Sequence, residues 1–470
     1  MSSPPRAEGP GRVARASVAP PVARPVAAPP IPVVPARIAA PAARPVAARG
    51  KPERFPALDA VRGLAAVAVV GFHAYKDVAG RFAGEGSPAD TVLYSLDWAV
   101  VTFFVLSGFL LYTPFATALA TGGERPSSRG FLWRRALRIL PAYWLALVVF
   151  GSLAHPGQLW TVDGLLRYGL LQQIYSTDTL YHILGPAWTL AAEAAFYVAL
   201  PLLAIGLAAA VGRIPVGTPL ARHLAGLAAL VLLAVAAVRI VLQPLYAASS
   251  QDPNLAFFSL PGTFPLFAGG MLLAVLYAHR TELVGLRRRV GRRGRVLLRS
   301  DATWLVLAGL AYLAGLRFEA DHITPWHTTI GMLAAATCLL VPLVFRPQAS
   351  PLARLLGGAP PLVGLGLVSY GLYLWHWPIQ ELTRTSILAV PHTWLGFATA
   401  FLAILAASLV PAWLSYRFLE APVMRWGRRI VGSRPSPAPA AAAPPAPGHP
   451  RPATAASAAA ALAEADRRAA

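Results

Sequence analysis

Long apolar runs separated by short polar connections organise this chain. Runs near 58–77, 93–117, 136–154, 187–211, 224–245, 258–278, 302–317, 327–345, 361–381 and 394–417 each approach the length a helix needs to cross a bilayer. The pattern predicts an all-α membrane bundle of about ten transmembrane helices. A further stretch, Gly164–Tyr175, is apolar but short and interrupted, and reads as an interfacial or re-entrant piece.

Charge placement orients the spans. The connections after spans two, four, six and eight carry Arg125, Arg129, Arg134 and Arg135, then Arg213 and Arg222, then Arg287–Arg289 with Arg292, Arg293, Arg295 and Arg299, then Arg346 and Arg354. The alternate connections hold Asp77, Glu85, Asp90, Asp163, Asp178, Asp252, Glu319 and Asp321 with few basic residues. Basic loops stay in the cytoplasm, so odd spans run outward, even spans run inward, and both termini are expected to be cytoplasmic in a multi-pass cell-membrane protein. The alternation requires that Gly164–Tyr175 does not cross.

Composition supports the membrane reading. Of 470 residues, 56% are hydrophobic and 13% charged, too apolar for a soluble chain of this size. The formal charge of +21 raises the possibility of nucleic acid, but the arginines sit in tails and alternate loops, with no basic stripe interleaved with stacking aromatics. No nucleic-acid partner is expected. The single cysteine, Cys338, rules out an intramolecular disulfide framework and a cysteine-based metal site, and no metal site is expected. Residues 1–53 are rich in Pro, Ala and Arg without a signal-length apolar core, and read as a disordered basic tail. The membrane domain is expected over 54–430, followed by a second Ala/Pro-rich disordered tail over 431–470.

Costly residues inside the apolar runs mark the chemistry. Arg62 and His73 both lie on the first span. Eleven helical residues turn through about 1100°, three turns plus about 20°, so the two side chains share one face about 16 Å apart. An intramembrane ionisable pair is a functional hypothesis by default. Asp59, one turn before Arg62, can pair with it. The topology puts Arg62 toward the inner face, with Arg134, Arg135 and Arg138 near the same side, and places His73, Glu193 and His376 in the outer half. A phosphate-bearing donor suits the basic layer. A general base poised near neutral pH, with a carboxylate to orient it, suits the His/Glu/His layer. Simple positive-inside anchoring also accounts for arginines such as Arg134 taken singly, and His376, between two tryptophans, also fits an interfacial aromatic belt.

The motifs resemble one family. Leu58-Asp-Ala-Val-Arg62-Gly-Leu-Ala-Ala with His73, Phe103-Phe-Val-Leu-Ser107-Gly-Phe-Leu-Leu, Arg134-Arg-Ala-Leu-Arg138-Ile-Leu-Pro-Ala-Tyr-Trp, Trp188-Thr-Leu-Ala-Ala-Glu193-Ala-Ala-Phe-Tyr, Ser369-Tyr-Gly-Leu-Tyr373-Leu-Trp375-His376-Trp-Pro and Tyr416-Arg-Phe-Leu-Glu420-Ala-Pro resemble the membrane acyltransferase 3 family, in family order over about 58–422. The resemblance implies transfer of an acyl group, often acetyl from acetyl-CoA, to a hydroxyl on a carbohydrate, cell-envelope glycan or secondary metabolite. It implies that the Arg62–His73 pair matches the family's arginine-to-histidine motif and that Glu193 matches the first acidic residue of its tryptophan–glutamate motif. Two positions depart from the pattern. Ala194 stands where a second glutamate is common, and Val101 where many members have aspartate.

On this reading His73, Glu193 and Arg62 are the candidate catalytic residues, with His73 as base and Glu193 orienting it. Arg134, Arg135 and Arg138 are the candidates for holding acyl-CoA phosphates. Ser107, Tyr373, Trp375 and His376 are candidates for substrate contact and for donating to the oxyanion. Direct transfer and a covalent acyl-His73 relay both stay open. Acyl-CoA is a cosubstrate, with no permanently bound cofactor, and the other partners are a hydroxyl-bearing glycan or small-molecule acceptor and the bilayer. A proton-coupled transporter or lipid or glycan flippase is the alternative that intramembrane Arg, His and Glu also suit, although no inverted repeat is visible.

Overall fold

The computed structural model describes residues 55–215, 217–289, 291–320, 325–386 and 390–432. Among them every regular element is helical. The tails expected at 1–53 and 431–470 lie outside the described residues, apart from 431 and 432 in the last helix.

Twelve helices carry the architecture: α1 (Pro56–His73), α2 (Ala99–Thr121), α3 (Ser128–Ala154), α4 (Trp188–Arg213), α5 (Pro219–Ala236), α6 (Leu260–Ala278), α7 (Arg280–Arg289), α8 (Arg292–Arg299), α9 (Asp301–Ala320), α10 (Pro325–Phe345), α11 (Pro360–Ser386) and α12 (Trp394–Ser415). Their ends follow local chemistry. Pro56 and Pro219 sit in the first turns of α1 and α5, where no N–H partner is lost. The side chains of Ser127, Thr218 and Thr393 cap α3, α5 and α12 by accepting from backbone N–H groups. Gly122, at φ +67°, takes the left-handed conformation that closes α2.

Each of the ten apolar runs falls on a helix, and the protein is a multi-pass membrane protein. Among the described residues, seven helical stretches are long and apolar enough to cross a bilayer, and two sharply bent pairs raise that to nine if each counts as one span. The bends are 72° between Arg292–Arg299 and Asp301–Arg317, and 69° between Pro351–Gly357 and Pro360–Thr383. The remaining run is the shorter apolar helix Thr329–Phe345. The stretch expected not to cross, Gly164–Tyr175, overlaps the helix Val162–Gly169 of 8 residues, about 12 Å long and far short of the roughly 30 Å hydrocarbon core. It is tied to α3 by Tyr143, whose hydroxyl donates to the Tyr168 carbonyl at 2.6 Å, and by the Trp144 indole, which donates to the Gly169 carbonyl at 2.9 Å.

Two close crossings set the frame. Where α2 meets α6, Gly108 and Gly270 each leave no room for a Cβ against the facing backbone, a small-residue contact that lets helices pack without a hydrophobic driving force in lipid. Where α1 meets α11, a Cβ on Gly63 would come within 2.8 Å of the Gly366 nitrogen. This second crossing matters for the site, because it locks α1 and α11 in one register and so sets His73 beside His376.

Candidate active site

α1 carries two polar centres, one near its middle and one at its end. The first opens on a cavity of about 90 Å³, lined by Arg62 from α1, Ser107 from α2, Arg135 and Arg138 from α3, Thr189, Glu193 and Tyr197 from α4, and Ser369, Tyr370 and Tyr373 from α11. The wall carries three guanidinium groups and one carboxylate. Glu193 Oε1 accepts from the Ser107 hydroxyl at 2.5 Å and from the Tyr197 hydroxyl at 2.6 Å. Arg62 has Asp59 at 3.9 Å, the one-turn partner expected from the sequence. Arg135 stands over the rings of Phe131 and Tyr197 at 5.8 and 5.9 Å, and its Nε is buried with no hydrogen-bond partner among the described residues. A buried guanidinium N–H without an acceptor is costly, and a bound anion is the natural way to satisfy it.

The second centre surrounds His73, where α1 passes into a π-helical turn, Ala74–Val78. Such turns are frequent at functional sites. His73 Nδ1 lies 3.4 Å from Asp77 Oδ2, and Gln380 of α11 donates to the same oxygen at 3.1 Å. The His73 ring is enclosed by Phe72, Trp377 and His376, with centroids at 4.9, 5.2 and 5.3 Å. His376 is fully buried. Its Nδ1 is 2.6 Å from the Tyr373 carbonyl, which can only accept, so Nδ1 carries the hydrogen and Nε2 the lone pair. That Nε2 has no partner among the described residues.

The residues expected to act together are therefore regrouped. Glu193, expected at the level of His73, lies in the arginine-lined cavity, and its carboxylate is bonded to Ser107 and Tyr197. The carboxylate beside His73 is Asp77. Arg62, Arg135 and Arg138 come together, whereas Arg134 is exposed and outside the cavity wall. Ser107 and Tyr373 both line the cavity, but their hydroxyl protons are engaged: Ser107 donates to Glu193, and Tyr373 donates to the Pro186 carbonyl at 2.9 Å. Of the four expected oxyanion donors, Trp375 retains an indole N–H with no partner among the described residues. Sequence reasoning passed over Asp77 and Tyr197, although each stands four residues after a residue it singled out, the spacing that brings helical side chains together. No group of three or more His, Cys, Asp or Glu side chains gathers to hold a metal ion among the described residues.

Comparison with known proteins bears on what this arrangement does. A protein-family model described as "Acyltransferase domain" matches residues 55–417. The peptidoglycan O-acetyltransferase OatA of Listeria monocytogenes is 27% identical over 395 residues, covering 79% of this chain and 56% of the relative. The putative peptidoglycan O-acetyltransferase YrhL of Bacillus subtilis is 26% identical over 398 residues, covering 81% and 56%. The exopolysaccharide production protein ExoZ of Rhizobium meliloti is 28% identical over 336 residues, covering 70% and 90%. The chain thus spans a little over half the length of the first two relatives. No solved structure matches it.

Proposed function

Because this chain belongs to the acyltransferase domain family over residues 55–417, we propose that it transfers an acyl group, acetyl in the first instance, from acyl-CoA to a hydroxyl of a cell-envelope glycan. The observation that carries the donor half is the cavity with Arg62, Arg135 and Arg138 against one carboxylate, in which the buried Arg135 Nε lacks an acceptor. Three guanidinium groups suit the phosphates of coenzyme A. α1 joins this cavity to His73, and the separation of about 16 Å between Arg62 and His73 is comparable to the reach of a pantetheine arm. The peptidoglycan and exopolysaccharide names of the relatives support a glycan acceptor. The positive-inside pattern supports cytoplasmic termini, donor entry from the cytoplasm and His73 toward the outer side.

In this mechanism Asp77 holds His73 through Nδ1, which leaves Nε2 as the base. His73 takes the proton of the acceptor hydroxyl as the oxygen attacks the thioester carbon. The carbon–sulfur bond then breaks, the acyl oxygen ester forms, and the coenzyme A thiolate leaves with the proton from the imidazolium. The Trp375 indole N–H is the donor left to stabilise the oxyanion. Glu193 shapes and charges the donor cavity rather than orienting the base.

The test is a single-turnover assay with radiolabelled acetyl-CoA and the reconstituted full chain. Wild type should release free coenzyme A and label a glycan acceptor. His73→Ala should slow transfer by about 10²–10⁴-fold, the usual contribution of a general base. Transfer by His73→Ala at the wild-type rate would sink the mechanism, and no acyl-CoA turnover by wild type would sink the function.

A further inference from the structure

Outside both centres, the connection between α6 and α9 carries the densest charge in the protein. Residues 280–299 contain eight arginines and a single acid, Glu282. That acid is already engaged, because His279 Nδ1 lies 2.9 Å from its carboxylate. The contact is one link of a buried chain: His223 Nδ1 is 3.3 Å from His279 Nε2, and the Tyr112 hydroxyl is 2.7 Å from His223 Nε2. An ionised carboxylate only accepts, so each imidazole in turn donates from Nδ1 and accepts at Nε2, and Tyr112 donates into the end of the chain. The start of α7 is thereby tied to α2 and α5.

The far end of the segment is tied as firmly. Asp301, at the start of α9, pairs with Arg346 at 3.0 Å and accepts from the Ser350 hydroxyl at 2.6 Å and the Leu352 N–H at 3.0 Å. The Trp304 indole donates back to the Leu298 carbonyl at 3.1 Å. Between these clamps α8 turns 72° away from the membrane-crossing α9. With α9 crossing near the membrane normal, a helix at 72° to it runs close to the membrane plane.

α8 shows what such a surface would need. Val296 and Leu297 are 62% and 56% exposed. Arg292, Arg293 and Arg299 are exposed on the same short helix, and Arg289 just before it is exposed as well. Apolar side chains interleaved with arginines, clamped flat at the level where a span begins, match an interfacial helix that sinks its apolar face among acyl chains while its cations meet lipid phosphates. We propose that α7 and α8 form a docking surface for the headgroups of anionic phospholipids in the leaflet they border. The positive excess of the segment, eight arginines to one acid, is complementary to anionic lipid.

The experiment places a polarity-sensitive fluorophore at Val296→Cys in a Cys338→Ser background of the full chain. The protein is reconstituted in nanodiscs of phosphatidylcholine, with or without phosphatidylglycerol at about one third of the lipid. With phosphatidylglycerol the emission should shift to shorter wavelength, and quenching by neutral acrylamide should fall by about twofold or more. Replacing Arg289, Arg292, Arg293 and Arg299 together with Gln should abolish the difference between lipid compositions, with the unfolding temperature in phosphatidylcholine unchanged. If that variant fails to fold, a salt titration of the labelled protein decides: the protection must weaken well above physiological ionic strength, where the Debye length is about 8 Å. Equal emission and quenching in the two compositions would overturn the proposal. Inorganic phosphate reproducing the protection in phosphatidylcholine would overturn it as well, by assigning the site to free phosphate.

Discussion

His73 and Asp77 stand four residues apart with Nδ1 and Oδ2 at 3.4 Å, and Gln380 from another helix donates to that same carboxylate oxygen at 3.1 Å. The histidine is thus held from its own helix, and its holder is held from α11. Asp77→Asn keeps the shape but not the charge that favours one tautomer and offsets the imidazolium. It should lower kcat by roughly 10²-fold while leaving KM for acyl-CoA within twofold. Steady-state kinetics checks this, and an unchanged kcat removes Asp77 from the mechanism.

Arg134 and Arg135 are sequence neighbours with opposite surroundings. Arg135 lines the cavity with an unpartnered Nε, and Arg134 is exposed. Truncating Arg135 to Ala should raise KM for acyl-CoA by roughly tenfold or more, since a charge-assisted hydrogen bond contributes about 1.5–3 kcal/mol. Arg134→Ala should leave that KM within about twofold. Equal effects of the two substitutions would mean that the arginines act only through general surface charge.

Glu193 accepts two short hydroxyl hydrogen bonds and, among the described residues, is the one carboxylate lining a wall with three arginines. Glu193→Ala strands the Ser107 and Tyr197 hydroxyls and leaves the guanidinium groups facing one another. A loss of about 1–3 kcal/mol for each stranded polar group predicts a lower unfolding temperature. Glu193→Gln keeps an acceptor for both hydroxyls and should recover part of that loss. Thermal unfolding of the two purified variants measures the difference, and identical temperatures for both would count against it.

Gly63 and Gly366 let α1 and α11 approach until a Cβ on Gly63 would fall 2.8 Å from backbone. Gly63→Val should cost at least the roughly 1–3 kcal/mol typical of overpacking. It should also separate His73 from His376 and Gln380, so folded protein that survives should lose transfer activity more than it loses acyl-CoA binding. Binding and turnover measured on the same preparation separate the two effects.

Much of this protein was written in the chain itself. A bilayer span needs about 20 apolar residues, and that requirement alone locates the ten runs and the helical class. The helical repeat puts Arg62 and His73 on one face, and the same repeat would have paired His73 with Asp77 and Glu193 with Tyr197. The repeat sets Arg134 about 100° from Arg135 but only about 40° from Arg138, so spacing alone does not group Arg135 with Arg138 and leave Arg134 out. It does not say which of those faces meets the cavity, since that depends on how α3 is rotated against α2, α4 and α11.

Depth was the other quantity that only packing decided. Counted from the ends of their helices, Arg62 lies about 9 Å from the start of α1 and Glu193 about 8 Å from the start of α4. A count of that kind places the two in opposite halves of the membrane. The tertiary structure places both on one cavity wall. Sequence spacing sets positions along a helix, and it is the rotation, tilt and close approach of neighbouring helices that choose which costly side chains meet.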